Sequence, residues 1–432
     1  MPLPANSGVS MTSVTAVMSL VVVLPSIPAT GDWPAWRGPT GQGLCDEKNI
    51  PLKWSATENV RWKVTLAHPG NSTPIVSGED VFLTQANKGG TVRSLLCLAR
   101  ADGGVRWQKD VAYAEKEKNW NEEWYANASP TTDGERIVVS FGSAGMYCFD
   151  RAGNELWKRT DLGKWEDDFG NGSSPVLYGD LAILWCGPNR TKGRNFLIAV
   201  NKMTGETAWE REESFGSWST PLITDVNGQD QLIIGQSRDV KSAPAAKHGF
   251  LNGFDPKTGK ELWKCQGLNS YVYTSALFGG GVAVGMSGYG GSALAVKLGG
   301  AGDITKDRLW LHPVNNQRVG SGVILDGRVY MVNENASAHC YDLKTGEDLW
   351  KKVPRLKGGL TWGSMVYADG RLYVLMRSGE SVVLAASPKH EVLAVNRLAE
   401  GEQTNSSPAI SNGRIFLRTF KHLWCIEARP DN

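Results

Sequence analysis

Short apolar runs alternating with polar positions, the period of half-buried strands, recur along the chain between turn residues, and no stretch sustains helical periodicity. Helix is therefore expected to be nearly absent. The runs fall into groups, and most groups end on a tryptophan: Trp62, Trp107, Trp157, Trp209, Trp263, Trp310 and Trp350, spaced by 40 to 54 residues. A period of that size marks an array of similar units. Five of the tryptophans follow a glycine by four positions, at Gly103, Gly153, Gly205, Gly259 and Gly346. In Tyr147 to Trp157 and again in His339 to Trp350, an Asp opens the turn and this Gly closes it between two apolar runs, which reads as a hairpin. Each tryptophan is placed on the last strand of its unit, packing between neighbouring units.

A second signature marks the first strand. Aligned on a proline or its equivalent, the preceding residue is Thr73, Ser129, Ser174, Thr220, Ser275, Ser321, Ser364 or Ser407. Eight hydroxyls imply eight inner strands crowded around an axis, where a short side chain fits and its oxygen can satisfy a neighbouring backbone group. The seventh unit carries Val395 at the outer-strand position, and the eighth ends without an outer strand of its own. Trp62, within Val60 to Val64, precedes the first inner strand and can supply it. The expected fold is all-β: an eight-bladed β-propeller of four-stranded antiparallel blades, closed by the N-terminal strand completing the last blade. This divides the chain into a leader at 1–30, a lead-in segment at 31–57, the propeller at 58–428 and a tail at 429–432.

Composition adds limits. Fifty glycines and twenty prolines in 432 residues suit many turns, and the formal net charge of +2, without a dense Lys/Arg run, disfavours nucleic acid as a partner. An apolar run from Thr15 to Leu24, followed by Pro25 and Pro28, has the length of a secretory signal core, so export to a periplasmic or extracellular space is expected, although no Lys or Arg precedes Arg37. No other run is long enough to span a membrane. Cys97, Cys148, Cys340 and Cys425 share one place in four units, where other units carry Ala199, Gly253 and Ala295, so they read as small packing residues. No Cys/His spacing suggests zinc, and no motif nominates a nucleophile or a general base.

Eightfold repetition is the mark of scaffold, so chemistry is sought where the symmetry breaks. Two residues before each hydroxyl stand Asn71, Asn127, Gly172, Trp218, Tyr273, Val319, Trp362 and Asn405. In a closed ring the asparagines of blades 8, 1 and 2 are adjacent, while Trp218, Tyr273 and Trp362 face them. One side of the channel mouth can hydrogen-bond and the other can stack, which suits a planar or sugar-like molecule or the side chain of a protein partner. The same face is expected to be acidic over blades 2 to 4, through Glu122, Glu123, Asp167, Asp168, Glu210, Glu212 and Glu213 beside Trp124 and Trp165. It is expected to be basic over blades 6 and 7, through Arg318, Lys351, Lys352, Arg355 and Lys357, a dipole that could orient a partner. The connection from Gln236 to Gly249 could fold over the mouth as a lid.

The turn in Asp255 to Trp263 and in Asp342 to Trp350 resembles the tryptophan-docking motif of the pyrroloquinoline-quinone-like propeller superfamily, and Asp32-Trp33-Pro34-Ala35-Trp36-Arg37-Gly38-Pro39 is similar to the segment that precedes the propeller there. The resemblance covers about residues 32 to 428 and implies two branches. Quinoprotein alcohol dehydrogenases use a bound quinone, calcium held by acidic and amide side chains, a carboxylate base and often a disulfide of adjacent cysteines, a pair this chain lacks. The branch similar to the outer-membrane assembly factor BamB is a cofactor-free scaffold of about this size. The expectation is a monomeric, non-catalytic scaffold binding a protein or small ligand at the mouth, with no metal site assigned. A reduced quinone- and calcium-dependent oxidoreductase, with calcium near Glu122, Glu123, Asp167 and Asp168, is the alternative. A carbohydrate binder using Trp218, Tyr273 and Trp362 is a third.

Overall fold

The computed structural model describes Met1, Pro2 and residues 31–115, 117, 125–165, 169–188, 193–237, 249–314 and 316–428. Eight antiparallel sheets follow one another around an axis, with inner strands at Ile75–Ser77, Thr131–Thr132, Val176–Tyr178, Leu222–Val226, Leu277–Gly279, Val323–Leu325, Val366–Ala368 and Ala409–Ser411. Among the described residues the only helical elements are two 3-10 turns, Gly142–Ala144 and Thr305–Asp307. The second strands, such as Asp80–Ala86, are buried over most of their length because blades cover both faces; most outer strands, such as Val105–Ala112, stay largely exposed.

The ring closes as the sequence predicts. Val60–Thr65 pairs antiparallel with His422–Glu427, placing Trp62 opposite Cys425 and completing the eighth blade. Three departures from four-stranded blades occur. In the sixth blade the outer strand is reduced to a single bridge between Tyr341 and Asp348, so Trp350 sits in a bend rather than on a strand. There the Asp348 carboxylate accepts both the Trp350 N–H and a hydrogen bond from His339, which turns the chain away. The fourth blade gains a parallel edge strand, Gly302–Asp303, and the seventh gains Leu44–Cys45 from the lead-in.

Tryptophan docking is an inter-blade device. The indole N–H of Trp62, Trp107, Trp157, Trp209, Trp310 and Trp350 donates to the backbone carbonyl of Arg100, Arg151, Lys202, Pro256, Leu343 and Ser387, at 2.8 to 3.1 Å. Each acceptor lies in the next blade. For five of these rings, all but Trp350, the turn glycine of that blade lies flat against the same ring, as Gly153 does on Trp107. Trp263 is the exception and donates to Gln231 within its own blade. The small residue opposite each ring is equally determined: Cys97 pairs with Trp107, Cys148 with Trp157 and Gly253 with Trp263, where a Cβ on Gly253 would stand 2.2 Å from the indole nitrogen. All seven cysteines are free and buried.

The hydroxyls form a belt. The N–H of Thr73 donates to Ser129 Oγ, Ser129 to Ser174, Ser174 to Thr220, Ser275 to Ser321, Ser321 to Ser364, Ser364 to Ser407, and Ser407 back to Thr73, at 2.8 to 3.2 Å. Between the fourth and fifth blades the sense reverses, and Ser275 Oγ donates to the Thr220 carbonyl at 2.6 Å.

Candidate functional site

Beyond the belt, on the side away from the inner-strand starts, the lead-in segment plugs the axis. Trp33 bridges Val76 in blade 1, the Thr132 N–H donates to the Pro34 carbonyl in blade 2, Gln42 accepts the Phe278 N–H in blade 5, and Leu44 pairs with Tyr367 in blade 7. The Arg37 guanidinium, fully buried, donates to the carbonyls of Gln42 and Gly322. Trp36 is held by this plug as a partition. It is the floor of a cavity of about 210 Å³ at the mouth and also lines a cavity of about 340 Å³ on the far side, bounded by the inner strands of blades 2 to 4.

All eight symmetry-breaking positions line the mouth cavity, together with Phe169, Gln317 and five belt hydroxyls. Among the described residues its lining contains no carboxylate. On one wall the amides form a row: Asn405 Nδ2 donates to Asn71 Oδ1 at 3.1 Å, and Asn71 Nδ2 to Asn127 Oδ1 at 2.6 Å. Arg377, which the sequence reading did not single out, donates through Nε to Asn405 Oδ1 at 3.0 Å. Its guanidinium lies over the Trp362 ring at 4.1 Å, and Trp362 in turn donates to Glu334 Oε1 at 2.7 Å. Burial lowers the Arg377 pKa from its ordinary value, and the Glu334 carboxylate opposes the shift.

The other wall is aromatic. Trp218 meets Tyr273 edge-on at 5.0 Å and stacks on Tyr271 at 5.5 Å, and its indole N–H donates to the Gly170 carbonyl. Tyr271, a residue with no sequence signal, adopts φ of 58°, a left-handed conformation that a bulky side chain rarely takes. Two backbone bonds hold this corner: Gly288 N–H to the Tyr271 carbonyl at 2.6 Å, and Trp218 N–H to the Val272 carbonyl at 2.9 Å. Gly288 is required, since a Cβ there would stand 2.0 Å from the Tyr273 ring. The reversed link of the hydroxyl belt lies in the same interval between blades 4 and 5.

The expected partner face fares differently. Trp165 is in the core against Phe196, and Arg318 is fully buried, donating to the Gly291 carbonyl; neither is available to a partner. Both were read from charge or size on connections that fold inward. Arg355 and Lys357 are exposed. Glu122, Glu123, Trp124, Asp167 and Asp168, and residues 238–248 of the expected lid, lie outside the described residues. Glu210 and Glu212 share Arg194, Glu213 pairs with Arg211, and Lys351 pairs with Glu347, so much of the expected dipole is neutralised locally.

A calcium–quinone centre at the mouth would need acidic and amide side chains converging on one point. Among the described residues no group of three His, Cys, Asp or Glu side chains converges to hold a metal ion, and the cysteines lie singly in the cores of separate strands. The described lining therefore does not fit that centre, its donors being amides, hydroxyls and aromatic rings.

Fold and site together define a closed eight-bladed propeller with one plugged, amide- and aromatic-lined mouth. A family model described as outer membrane protein assembly factor BamB matches residues 93–352 and 335–429, and the chain belongs to that family, within the PQQ-like propeller superfamily. The chain is similar in structure to BamB from Moraxella catarrhalis, with a TM-score of 0.59, 13% identity, and 86% of this chain and 97% of that chain covered. It is also similar to the quinohemoprotein alcohol dehydrogenase from Comamonas testosteroni, with a TM-score of 0.64, 12% identity, and 93% and 82% covered. In sequence it is 33% identical over 96 residues to methanol dehydrogenase [cytochrome c] subunit 1 of Methylobacterium organophilum, spanning 22% of this chain and 13% of that protein. No helix among the described residues is long and apolar enough to cross a membrane.

Proposed function

We propose that the protein is a non-catalytic binding propeller that seats a small flat ligand, or a flat side chain of a protein partner, in the plugged channel mouth. The observation that carries this reading is the mouth itself, where eight positions that break the repeat converge on one cavity with an amide wall, an aromatic wall and the Trp36 floor. Such a site offers stacking area and directional hydrogen bonds, while its described lining supplies no carboxylate or histidine for proton transfer. The family's description as an outer-membrane assembly factor favours a protein as the natural partner, and with the apolar run from Thr15 to Leu24 it favours a place outside the cytoplasm.

A quinone-dependent oxidoreductase is the second reading, supported by the local identity to the methanol dehydrogenase subunit. Titration with pyrroloquinoline quinone and calcium, read by absorbance and by dye-linked alcohol oxidation, separates the two. The binding-module reading expects no stoichiometric quinone binding and no turnover; tight one-to-one binding with turnover overturns it.

A further inference from the structure

Arg377 sits at one end of a hydrogen-bonded row whose direction it alone can decide. A guanidinium only donates, whereas an amide can present either its oxygen or its nitrogen. Three amides in a row with two internal bonds are equally satisfied in either direction, because turning all three over exchanges donors for acceptors without losing a bond. The Arg377 Nε donor at 3.0 Å removes that degeneracy: Asn405 must offer its oxygen to Arg377 and its nitrogen to Asn71, and Asn71 its nitrogen to Asn127. The row therefore ends with the Asn127 NH2 in the mouth cavity, where it meets no acceptor among the described residues. Arg377 is itself fixed by the Trp362 ring beneath it, by Glu334 holding that indole, and by its own N–H on the Leu360 carbonyl.

We propose that Arg377 is a positioning residue that sets the polarity of the Asn405, Asn71 and Asn127 row, so that the mouth selects flat ligands presenting a hydrogen-bond acceptor to Asn127. The assignment rests on the reading of the mouth as a ligand site. An acceptor in the cavity pairs with the Asn127 amide; a donor leaves that amide unpaired and opposes it, a difference of roughly tenfold in affinity.

Two neutral bicyclic probes of similar size test this, quinoline as the acceptor and indole as the donor, each titrated by ligand-observed NMR. In the wild-type protein quinoline binds roughly tenfold more tightly than indole, and Val319→Trp, which fills the mouth, abolishes both signals. Arg377→Lys, also a pure donor, keeps the preference. Arg377→Met lets the row turn and erases it. Arg377→Glu, a pure acceptor, turns the row over, presents the Asn127 oxygen and inverts the preference toward indole. Unchanged circular dichroism and thermal midpoint establish that each variant folds. Binding of both probes without preference, or a wild-type preference that survives in folded Arg377→Glu, overturns the assignment and leaves the ligand-site reading standing. Failure of both probes to bind the wild-type mouth overturns the ligand-site reading and the assignment with it.

Discussion

Trp157 donates its indole N–H to the Lys202 carbonyl, 2.8 Å away on the neighbouring blade. Gly205 lies on the same ring, with φ of 77°, and a Cβ there would stand 2.9 Å from it. Two effects therefore oppose Gly205→Ala, the left-handed backbone and the collision, and a comparison separates them. Gly228 has φ of 84° with nothing within 4 Å of the added carbon. Gly228→Ala is expected to cost about 1 kcal/mol, the backbone part alone. Gly205→Ala is expected to cost about 1–3 kcal/mol more, because a close-packed indole has to shift. Urea unfolding of the two variants checks the order.

The closing link of the hydroxyl belt joins residues far apart in sequence, the Ser407 N–H and Thr73 Oγ1 at 3.2 Å. Thr73→Val keeps the shape and removes the acceptor, leaving a buried N–H unpaired between the first and last blades. The expected loss is about 1–3 kcal/mol. Thr73→Ser keeps the oxygen and should lose less than about 1 kcal/mol. Equal losses in the two variants, measured by equilibrium denaturation, would show that the methyl group rather than the hydroxyl matters.

These contacts show why much of the fold was legible in the sequence. A tryptophan that docks on the next blade and a hydroxyl that accepts from the blade before recur in most units, so the period of Trp62 to Trp350 and the ring from Thr73 to Ser407 expose both ends of a blade. Closure was readable from the one unit lacking its outer strand. The eight mouth positions followed from the same alignment. What stayed hidden is what occurs once. Trp36 reaches the axis only because the lead-in crosses several blades, and Arg377 meets Asn405 from a hairpin in another blade. Tyr271 supports Trp218 through a backbone conformation that residue type alone does not announce. The same lack of local pattern misplaced Trp165 and Arg318, which look like surface residues until their connections fold inward.

Trp36 separates the mouth cavity from the one beneath the plug. Its ring is half-buried, so Trp36→Ala should cost less than the ~3–5 kcal/mol of a fully buried tryptophan, about 2 kcal/mol. The larger consequence is geometric: the two cavities join and the floor of the mouth is lost. A crystal structure of the variant should show one continuous channel, and probe binding at the mouth should weaken. A lead-in that moved to refill the partition would argue that the plug, rather than this one ring, defines the floor.

Acid sensitivity should reside partly in the turns that begin with Asp. The Asp342 carboxylate accepts the N–H groups of Thr345 and Lys344, at 2.8 and 3.0 Å, and the Thr345 hydroxyl. These bonds, the Thr345 N–H foremost, hold its pKa below the ordinary carboxylate value against a smaller desolvation effect. A lowered folded pKa means the unfolded chain binds its proton first as pH falls. The stabilisation is complete above the ordinary carboxylate pKa and is lost as pH drops through the lowered folded value. Asn at this position keeps an oxygen for the same N–H groups and carries no charge. Asp342→Asn should therefore be less stable than the wild type at pH 7, by less than about 1 kcal/mol because the turn is exposed and screened. The gap should close in acid, once the pH has fallen through the lowered folded pKa and the wild-type carboxylate is protonated. Denaturation midpoints for both proteins from neutral pH into acid check the sign, and a gap that widened in acid would assign the lowered pKa to something other than this turn.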